Sequence, residues 1–124
     1  MIRTGVTGIA GKMGSFIGLL VTEAEDLELA GALEARGHRG LGSDAGLIIG
    51  AGALGTVVTD DMDRAFAGTE VIIDFTVPEV TMGIARYASE KNKALVIGTT
   101  GLSDDETATL KSFARSIPIV ASPT

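Results

Sequence analysis

The 124-residue chain has the length of one domain, and its 45% hydrophobic and 21% charged residues exclude intrinsic disorder. Its net charge of −6, with no run of lysine or arginine, argues against nucleic acid or an anionic membrane as a partner. The absence of cysteine and the single histidine argue against disulfides and zinc, and no apolar run approaches the roughly 18 residues that would span a bilayer. We therefore expect a cytoplasmic protein that binds no metal.

Short apolar strands and amphipathic helices alternate along the first half of the chain. Strands are predicted at 2–7 and 27–33, and apolar residues at helical spacing predict a helix at 12–25 between them. The next segment, 35–55, is the least regular part, with seven glycines and a few apolar residues, and we interpret it as a long loop. A loop of that length in a compact domain is usually functional or mobile.

The alternation continues in the second half, where capping residues mark the helix starts. Asp60 is placed to cap one helix, Pro78 favours the first turn of another, and Ser103 with Glu106 has the pattern of a capping box. The predicted strands are 56–59, 71–75, 94–97 and 117–121, and the predicted helices are 60–66, 77–91 and 103–115.

Several of these strands are continuous apolar runs, which is typical of a parallel sheet covered on both faces. Their alternation with helices indicates an α/β protein. We predict a Rossmann-type, doubly wound, mostly parallel sheet of about six strands. Because the chain stops at Ser122-Pro123-Thr124, just after a buried strand, we interpret residues 1–124 as one domain that ends at a boundary or a truncation.

The first strand runs into a G-x-x-G-x-x-G loop formed by Gly8, Gly11 and Gly14, which opens a helix. Glycines let the backbone approach a pyrophosphate, and a helix N-terminus offers free N–H groups and a favourable dipole. Lys12, at the mouth of the loop, is placed to touch a phosphate. The alternative is a tight strand-to-helix turn that needs glycine for purely structural reasons.

Glu34 ends the second strand, 20 residues after Gly14, where a dinucleotide fold places the acid that binds the adenosine ribose. Its alternative role is that of a solvated carboxylate at a strand end. Arg36 and His38 follow, and these two cations either receive a 2′-phosphate or are solvated loop residues.

Two further turns are expected at the same rim of the sheet, at 74–78 and 98–101. Their hydroxyls and backbone groups can orient a nicotinamide ring, because ligands of open α/β sheets bind beyond the carboxyl ends of the strands. Met13 and Phe75 either pack on the cofactor or belong to the core, and Asp74 is either a catalytic acid or a partly buried acid satisfied by neighbouring amides. With no nucleophile–base pair and no convincing proton donor, we predict no catalytic residue in this chain.

These motifs, in order and spacing, resemble the dihydrodipicolinate reductase family over essentially the whole chain. Three of them are rather specific: G-S-D-A-G at 42–46, D-F-T-x-P at 74–78 and I-G-T-T-G at 97–101. The resemblance implies an N-terminal Rossmann-type domain that binds NADH or NADPH and a C-terminal domain that binds a cyclic dicarboxylate. It also implies a homotetramer that transfers hydride to 4-hydroxy-tetrahydrodipicolinate in the diaminopimelate route of lysine biosynthesis.

The resemblance also assigns roles to residues. The glycine loop holds the pyrophosphate, Glu34 holds the adenosine ribose, the 98–100 turn faces the nicotinamide, and the segment ending at Thr124 forms the nicotinamide wall and the hinge. The candidate cofactor-binding residues are Gly8, Ile9, Ala10, Gly11, Lys12, Met13, Glu34, Arg36, Phe75, Gly98, Thr99, Thr100, Ser122 and Thr124.

The chain departs from the family pattern at three positions. Lys12 stands where arginine is common, and Thr124 stands where asparagine is usual. Ala35 follows Glu34 where members that accept NADPH well often carry arginine, so the preference between NADH and NADPH stays open. The family's His-His-x-x-Lys stretch, which supplies the proton, is absent from residues 1–124, so we expect no turnover by this chain alone. Two alternatives remain: a nucleotide-sensing domain without catalysis, and the cofactor domain of another NAD(P)-dependent dehydrogenase.

Overall fold

The computed structural model describes residues 1–121 and contains one sheet of five strands with helices on both faces. The strands are β1 (Ile2–Thr7), β2 (Leu27–Leu33), β3 (Val71–Asp74), β4 (Ala94–Ile97) and β5 (Ile119–Ala121), and the helices are α1 (Lys12–Glu23), α2 (Ala45–Ile49), α3 (Met62–Phe66), α4 (Pro78–Lys91) and α5 (Asp104–Phe113). The strand order is β2-β1-β3-β4-β5, and every neighbouring pair is parallel. The predicted doubly wound α/β class is therefore confirmed.

The sheet has five strands, not six, because the predicted strand at 56–59 does not form. Thr59 makes one isolated bridge with Leu33 of β2, and Val57 makes another with Asp44. The backbone of Val58 pairs with the 42–43 turn instead of with β2. Since the segment divides its hydrogen bonds between two neighbours, no ladder extends along β2.

The 35–55 segment is not a structureless loop, since it contains α2. Asp44 caps this helix and also accepts hydrogen bonds from the N–H groups of Leu54 (3.0 Å) and Gly55 (2.7 Å) across the segment. These two N–H groups, and then that of Gly46, hold the pKa of the Asp44 carboxyl below its usual value. The D-A of the G-S-D-A-G motif is thus a helix start, and the sequence prediction missed it.

Two of the three predicted helix starts are confirmed. Ser103 and Glu106 form the predicted capping box at the start of α5, and Pro78 occupies the first turn of α4. Asn92 ends α4 in the left-handed conformation, at φ 61°. One cap was predicted wrongly: Asp61, not Asp60, caps α3, because its side chain accepts from the N–H of Arg64.

Each face of the sheet has its own hydrophobic core. The core beneath α4 and α5 is built around Phe66, Ile72 and Ile84, which are fully buried. The core beneath α1 and α2 contains Val6 and Ile9, the residues on either side of the turn into the glycine loop. Among residues 1–121, no helix is both long and apolar enough to cross a membrane.

Candidate functional site

Within residues 1–121, the predicted site segments lie at one edge of the sheet. Because the strands are parallel, the segments that follow β1, β2, β3 and β4 leave the sheet at the same edge, and these segments contain every predicted site residue from Gly8 to Thr100. The chain runs outward from β1 to β2 in one direction and from β3 to β5 in the other. The crevice between β1 and β3 is therefore the topological switch point, where open α/β sheets bind their ligands.

The structure explains two of the three glycines in the loop after β1. Gly8 has φ 62°, in the left-handed region that glycine adopts without strain. Gly14 is buried against Gly8, and a methyl group there would overlap the Gly8 carbonyl. Gly11 is exposed, has φ −75°, and donates its N–H to the Gly8 carbonyl at 2.9 Å. Neither backbone conformation nor burial requires glycine at position 11.

The start of α1 is open to a ligand. No side chain caps this helix, and N–H groups in the first turn of a helix lack intrahelical partners. Lys12 and Met13 are both exposed, Met13 by 50%, so Met13 is a surface residue and not part of the core. The helix start therefore presents backbone donors, a dipole and one lysine on the same edge of the sheet.

Glu34 lies beside the glycine loop and bonds to it directly. One carboxylate oxygen accepts the N–H of Ala10 at 2.9 Å, and the other accepts the N–H of Ala35 at 2.9 Å. Glu34 is half-buried, so it is not the fully solvated carboxylate of the alternative interpretation. Glu34 also lines a cavity of about 250 Å³, together with residues that include Gly8 and Thr76.

The two basic residues that follow Glu34 make fewer contacts with the rest of the site. Arg36 is exposed, and so is His38, whose Nδ1 accepts the N–H of Gly40 at 2.8 Å. This contact fixes the imidazole within its own loop. Arg36 is thus two residues from Glu34 in sequence, but its side chain makes no hydrogen bond or salt bridge within residues 1–121.

Asp74 is fully buried, and hydroxyl groups, not backbone amides, satisfy its carboxylate. The Oδ1 atom accepts from the hydroxyls of Thr7 and Thr76, and the Oδ2 atom accepts from those of Thr81 and Thr99. This excludes the predicted amide environment for Asp74 and removes its side chain from direct contact with a ligand. Thr7 and Thr81 were not predicted as partners of Asp74, because their hydroxyls come close to its carboxylate only in the folded chain.

The turn after β4 packs against the turn after β3. The Phe75 ring lies on Gly98, where a methyl group would overlap the ring, and it remains 37% exposed. The N–H of Gly98 donates to the backbone carbonyl of Asp74 at 2.8 Å. Of the two predicted threonines, Thr99 is buried toward Asp74 and only Thr100 is exposed.

Ser122 and Thr124, predicted at the nicotinamide wall, lie outside the described residues. Within residues 1–121, no group of three or more histidine, cysteine, aspartate or glutamate side chains is arranged to hold a metal ion.

Comparison with known proteins identifies the family. A family model described as dihydrodipicolinate reductase, N-terminus, matches residues 2–124. The 4-hydroxy-tetrahydrodipicolinate reductase of Geotalea daltonii is 42% identical over 123 residues, covering 99% of this chain and 46% of that protein. The reductase of an Anaeromyxobacter species is 46% identical over 123 residues, covering 99% of this chain and 45% of that protein. The chain thus spans just under half the length of the relatives it matches.

Solved structures show the same fold. A dipicolinate-bound dihydrodipicolinate reductase from a Paenisporosarcina species has a TM-score of 0.78 at 23% identity, over 100% of this chain and 48% of that one. An aspartate semialdehyde dehydrogenase with NADP from Candida albicans has a TM-score of 0.70 at 14% identity, over 98% of this chain and 42% of that one. Because the family model matches residues 2–124 and the relatives are more than 40% identical in sequence, the chain belongs to the dihydrodipicolinate reductase family, whose N-terminal part it matches.

Proposed function

We propose that this chain is the dinucleotide-binding domain of a 4-hydroxy-tetrahydrodipicolinate reductase and binds NADH or NADPH at the carboxyl edge of its sheet. The observation that carries the proposal is the contact between Glu34 and Ala10, which joins the predicted ribose acid to the predicted pyrophosphate loop at the switch point. Family membership favours the reductase over a nucleotide sensor or another dehydrogenase.

The residues present fit a dinucleotide. The pyrophosphate would lie against the uncapped start of α1. Gly11 has no side chain to block its approach to the backbone there, and Lys12 supplies a positive charge. The Glu34 carboxylate keeps lone pairs free beyond its two N–H contacts, and ribose hydroxyls would donate to these. The exposed edge of Phe75 and the Gly98–Thr100 backbone would border the nicotinamide.

When bound, the cofactor supplies the hydride, so this domain has to hold and orient it and to exclude water. The Glu34 charge disfavours a 2′-phosphate unless Arg36 or Lys12 offsets it. We therefore expect NADH to bind at least as tightly as NADPH.

The remaining steps belong to the longer protein. Since the chain spans 46% of the Geotalea relative, we propose that the cyclic dicarboxylate and the proton donor are bound by a second domain outside these 124 residues. We further propose that the whole enzyme acts in lysine biosynthesis through the diaminopimelate route, in the cytoplasm, as a homotetramer.

The test is a calorimetric titration of the chain with NADH and with NADPH, using the wild type, Glu34→Ala and Glu28→Ala. Glu28 is an exposed carboxylate on the same strand and serves as the matched control. We expect saturable NADH binding that Glu34→Ala weakens by about tenfold, the loss of roughly one charged hydrogen bond, and that Glu28→Ala leaves unchanged. If Glu34→Ala still binds NADPH, we would infer that Arg36 or Lys12, and not Glu34, recognises the adenosine end of that cofactor through its 2′-phosphate. A folded wild-type chain that binds neither dinucleotide would refute the proposal.

A further inference from the structure

Four separate segments of the candidate site converge on the Asp74 carboxylate. Thr7 ends β1 just before the glycine loop, Thr76 lies in the turn after β3, Thr81 lies in α4, and Thr99 lies in the turn after β4. Each contributes one hydroxyl, so within residues 1–121 the Asp74 side chain joins the segments that follow β1, β3 and β4 but not the one that carries Glu34.

The hydroxyls also connect to one another and to the backbone. The Thr99 hydroxyl accepts the N–H of Thr76 at 3.2 Å and lies 2.6 Å from the Thr81 hydroxyl. Because each hydroxyl carries one proton, each of these two threonines donates either to Asp74 or to the other threonine at a given moment. The methyl group of Thr76 approaches Gly8, where an added Cβ would lie 3.3 Å from it. The turn after β3 is therefore fixed between the glycine loop and the 98–100 turn, and Asp74 lies at the centre of this arrangement.

An anion in this position is costly, which argues for a purpose beyond packing. Asp74 is 0% exposed, and none of its side-chain partners within residues 1–121 is a cation. Burying a carboxylate disfavours folding unless several strong donors compensate, and apolar residues of similar volume often serve stability as well or better. In addition, the carboxylate holds the surrounding threonine hydroxyls at set positions, and hydrogen bonds to a charged group are stronger than those between neutral groups.

We propose that Asp74 is a positioning residue for dinucleotide binding, which holds the 98–100 turn at a fixed place relative to the glycine loop so that both halves of the cofactor find their sites at once. The inference rests on the proposed function. Asp74 itself touches no ligand because it is fully enclosed, and Thr99 turns its hydroxyl inward to Asp74. The 98–100 turn therefore offers its backbone and Thr100 to the nicotinamide half.

The experiment compares NADH with ADP-ribose, which carries the adenosine and pyrophosphate but lacks the nicotinamide ring. Thr99→Val removes one hydroxyl from the network at nearly constant shape, Thr99→Ser keeps it, and Asp74→Asn removes the charge. Thr69→Val is the matched control, because Thr69 is also buried and its hydroxyl donates at 2.8 Å to Phe66, before β3 at the other edge of the sheet.

We expect Thr99→Val to raise the NADH Kd by about tenfold, as for one hydrogen bond to a charged group, and to leave the ADP-ribose Kd unchanged. Thr99→Ser should recover most of the NADH affinity, and Asp74→Asn, where it folds, should weaken NADH more than ADP-ribose. Thr69→Val should lower the stability of the chain without separating the two ligands. A loss of NADH affinity without a loss of ADP-ribose affinity is the result that a purely structural role for the hydroxyl network would not produce.

Two results overturn the inference and leave the proposed function standing: NADH affinity unaffected by Thr99→Val, or equal losses for both ligands. A wild-type chain that folds but binds neither ligand overturns both. If Asp74→Asn does not fold, the Thr99 pair still decides the question, because Thr99→Ser and Thr99→Val differ only at the hydroxyl and methyl positions.

Discussion

Gly11 and Gly14 belong to the same motif, but the structure predicts opposite consequences for replacing them with alanine. A methyl group on Gly14 would overlap the Gly8 carbonyl, and backbone must move to admit it. Overpacking of this kind costs about 1–3 kcal/mol, and we expect the upper end because the obstacle is main chain. At Gly11 the methyl group would lie 3.3 Å from the Gly8 oxygen, on an exposed residue with φ −75° that alanine adopts readily.

The stability change for Gly11→Ala should be close to zero. Alanine reduces the entropy of the unfolded chain, which stabilises by about 0.4–1 kcal/mol, and it is a poorer N-cap than glycine, which offsets a similar amount. The new methyl group would nevertheless stand where the pyrophosphate must approach. We expect Gly11→Ala to keep the free energy of unfolding within about 0.5 kcal/mol and to weaken NADH by at least about tenfold, or 1.4 kcal/mol.

The assay is urea unfolding monitored by circular dichroism, followed by NADH titration of each folded variant. Gly68→Ala serves as the control, because Gly68 is exposed, lies before β3, and has no atom within 4 Å of an added methyl group. Two results would refute the reasoning: normal NADH affinity for Gly11→Ala, which would place the ligand elsewhere, or wild-type stability for Gly14→Ala, which would mean that the loop yields.

Three further predictions follow from contacts at other positions. Gly98→Ala should displace the Phe75 ring and cost about 1–3 kcal/mol, measured by urea unfolding, whereas stability equal to the wild type would mean that the ring moves freely. The folded-state pKa of Asp44 is depressed, so the stability that its carboxylate contributes is present at neutral pH and is lost as pH falls through that pKa. The protection of the Leu54 and Gly55 amides from hydrogen exchange, relative to the intrinsic exchange rate at each pH, should therefore fall in acid, and Asp44→Asn should abolish this pH dependence. Burial, and then the Asp63 carboxylate, raise the pKa of Tyr87 to about 12. Stability should therefore fall between pH 10 and about 12, and ultraviolet titration of this single tyrosine should give a normal midpoint only if the chain has already unfolded.

The sequence predicted most elements to within two residues, and its errors have a common cause. The helix of α5 was predicted from Ser103 and Glu106, whose capping interaction spans three residues, and this was correct. The segment 56–59 was predicted as a strand from its apolar pattern, but whether it joins the sheet depends on competition between β2 and the 42–45 turn. The short helix α2 was missed because its glycines are typical of loops, while its cap, Asp44, is reinforced from residues ten and eleven positions further on.

For the site, the sequence by itself determined those features that depend on spacing along the chain. The glycine loop at the end of a strand, the acid one strand later, and the α/β alternation all depend on residues close together in the chain. Only the tertiary structure decided that Glu34 bonds to Ala10, and that Asp74 is enclosed by the hydroxyls of Thr7 and Thr99. Those partners come from different strands, and hydrogen bonds act over about 3 Å, so the strand order alone brings them within reach.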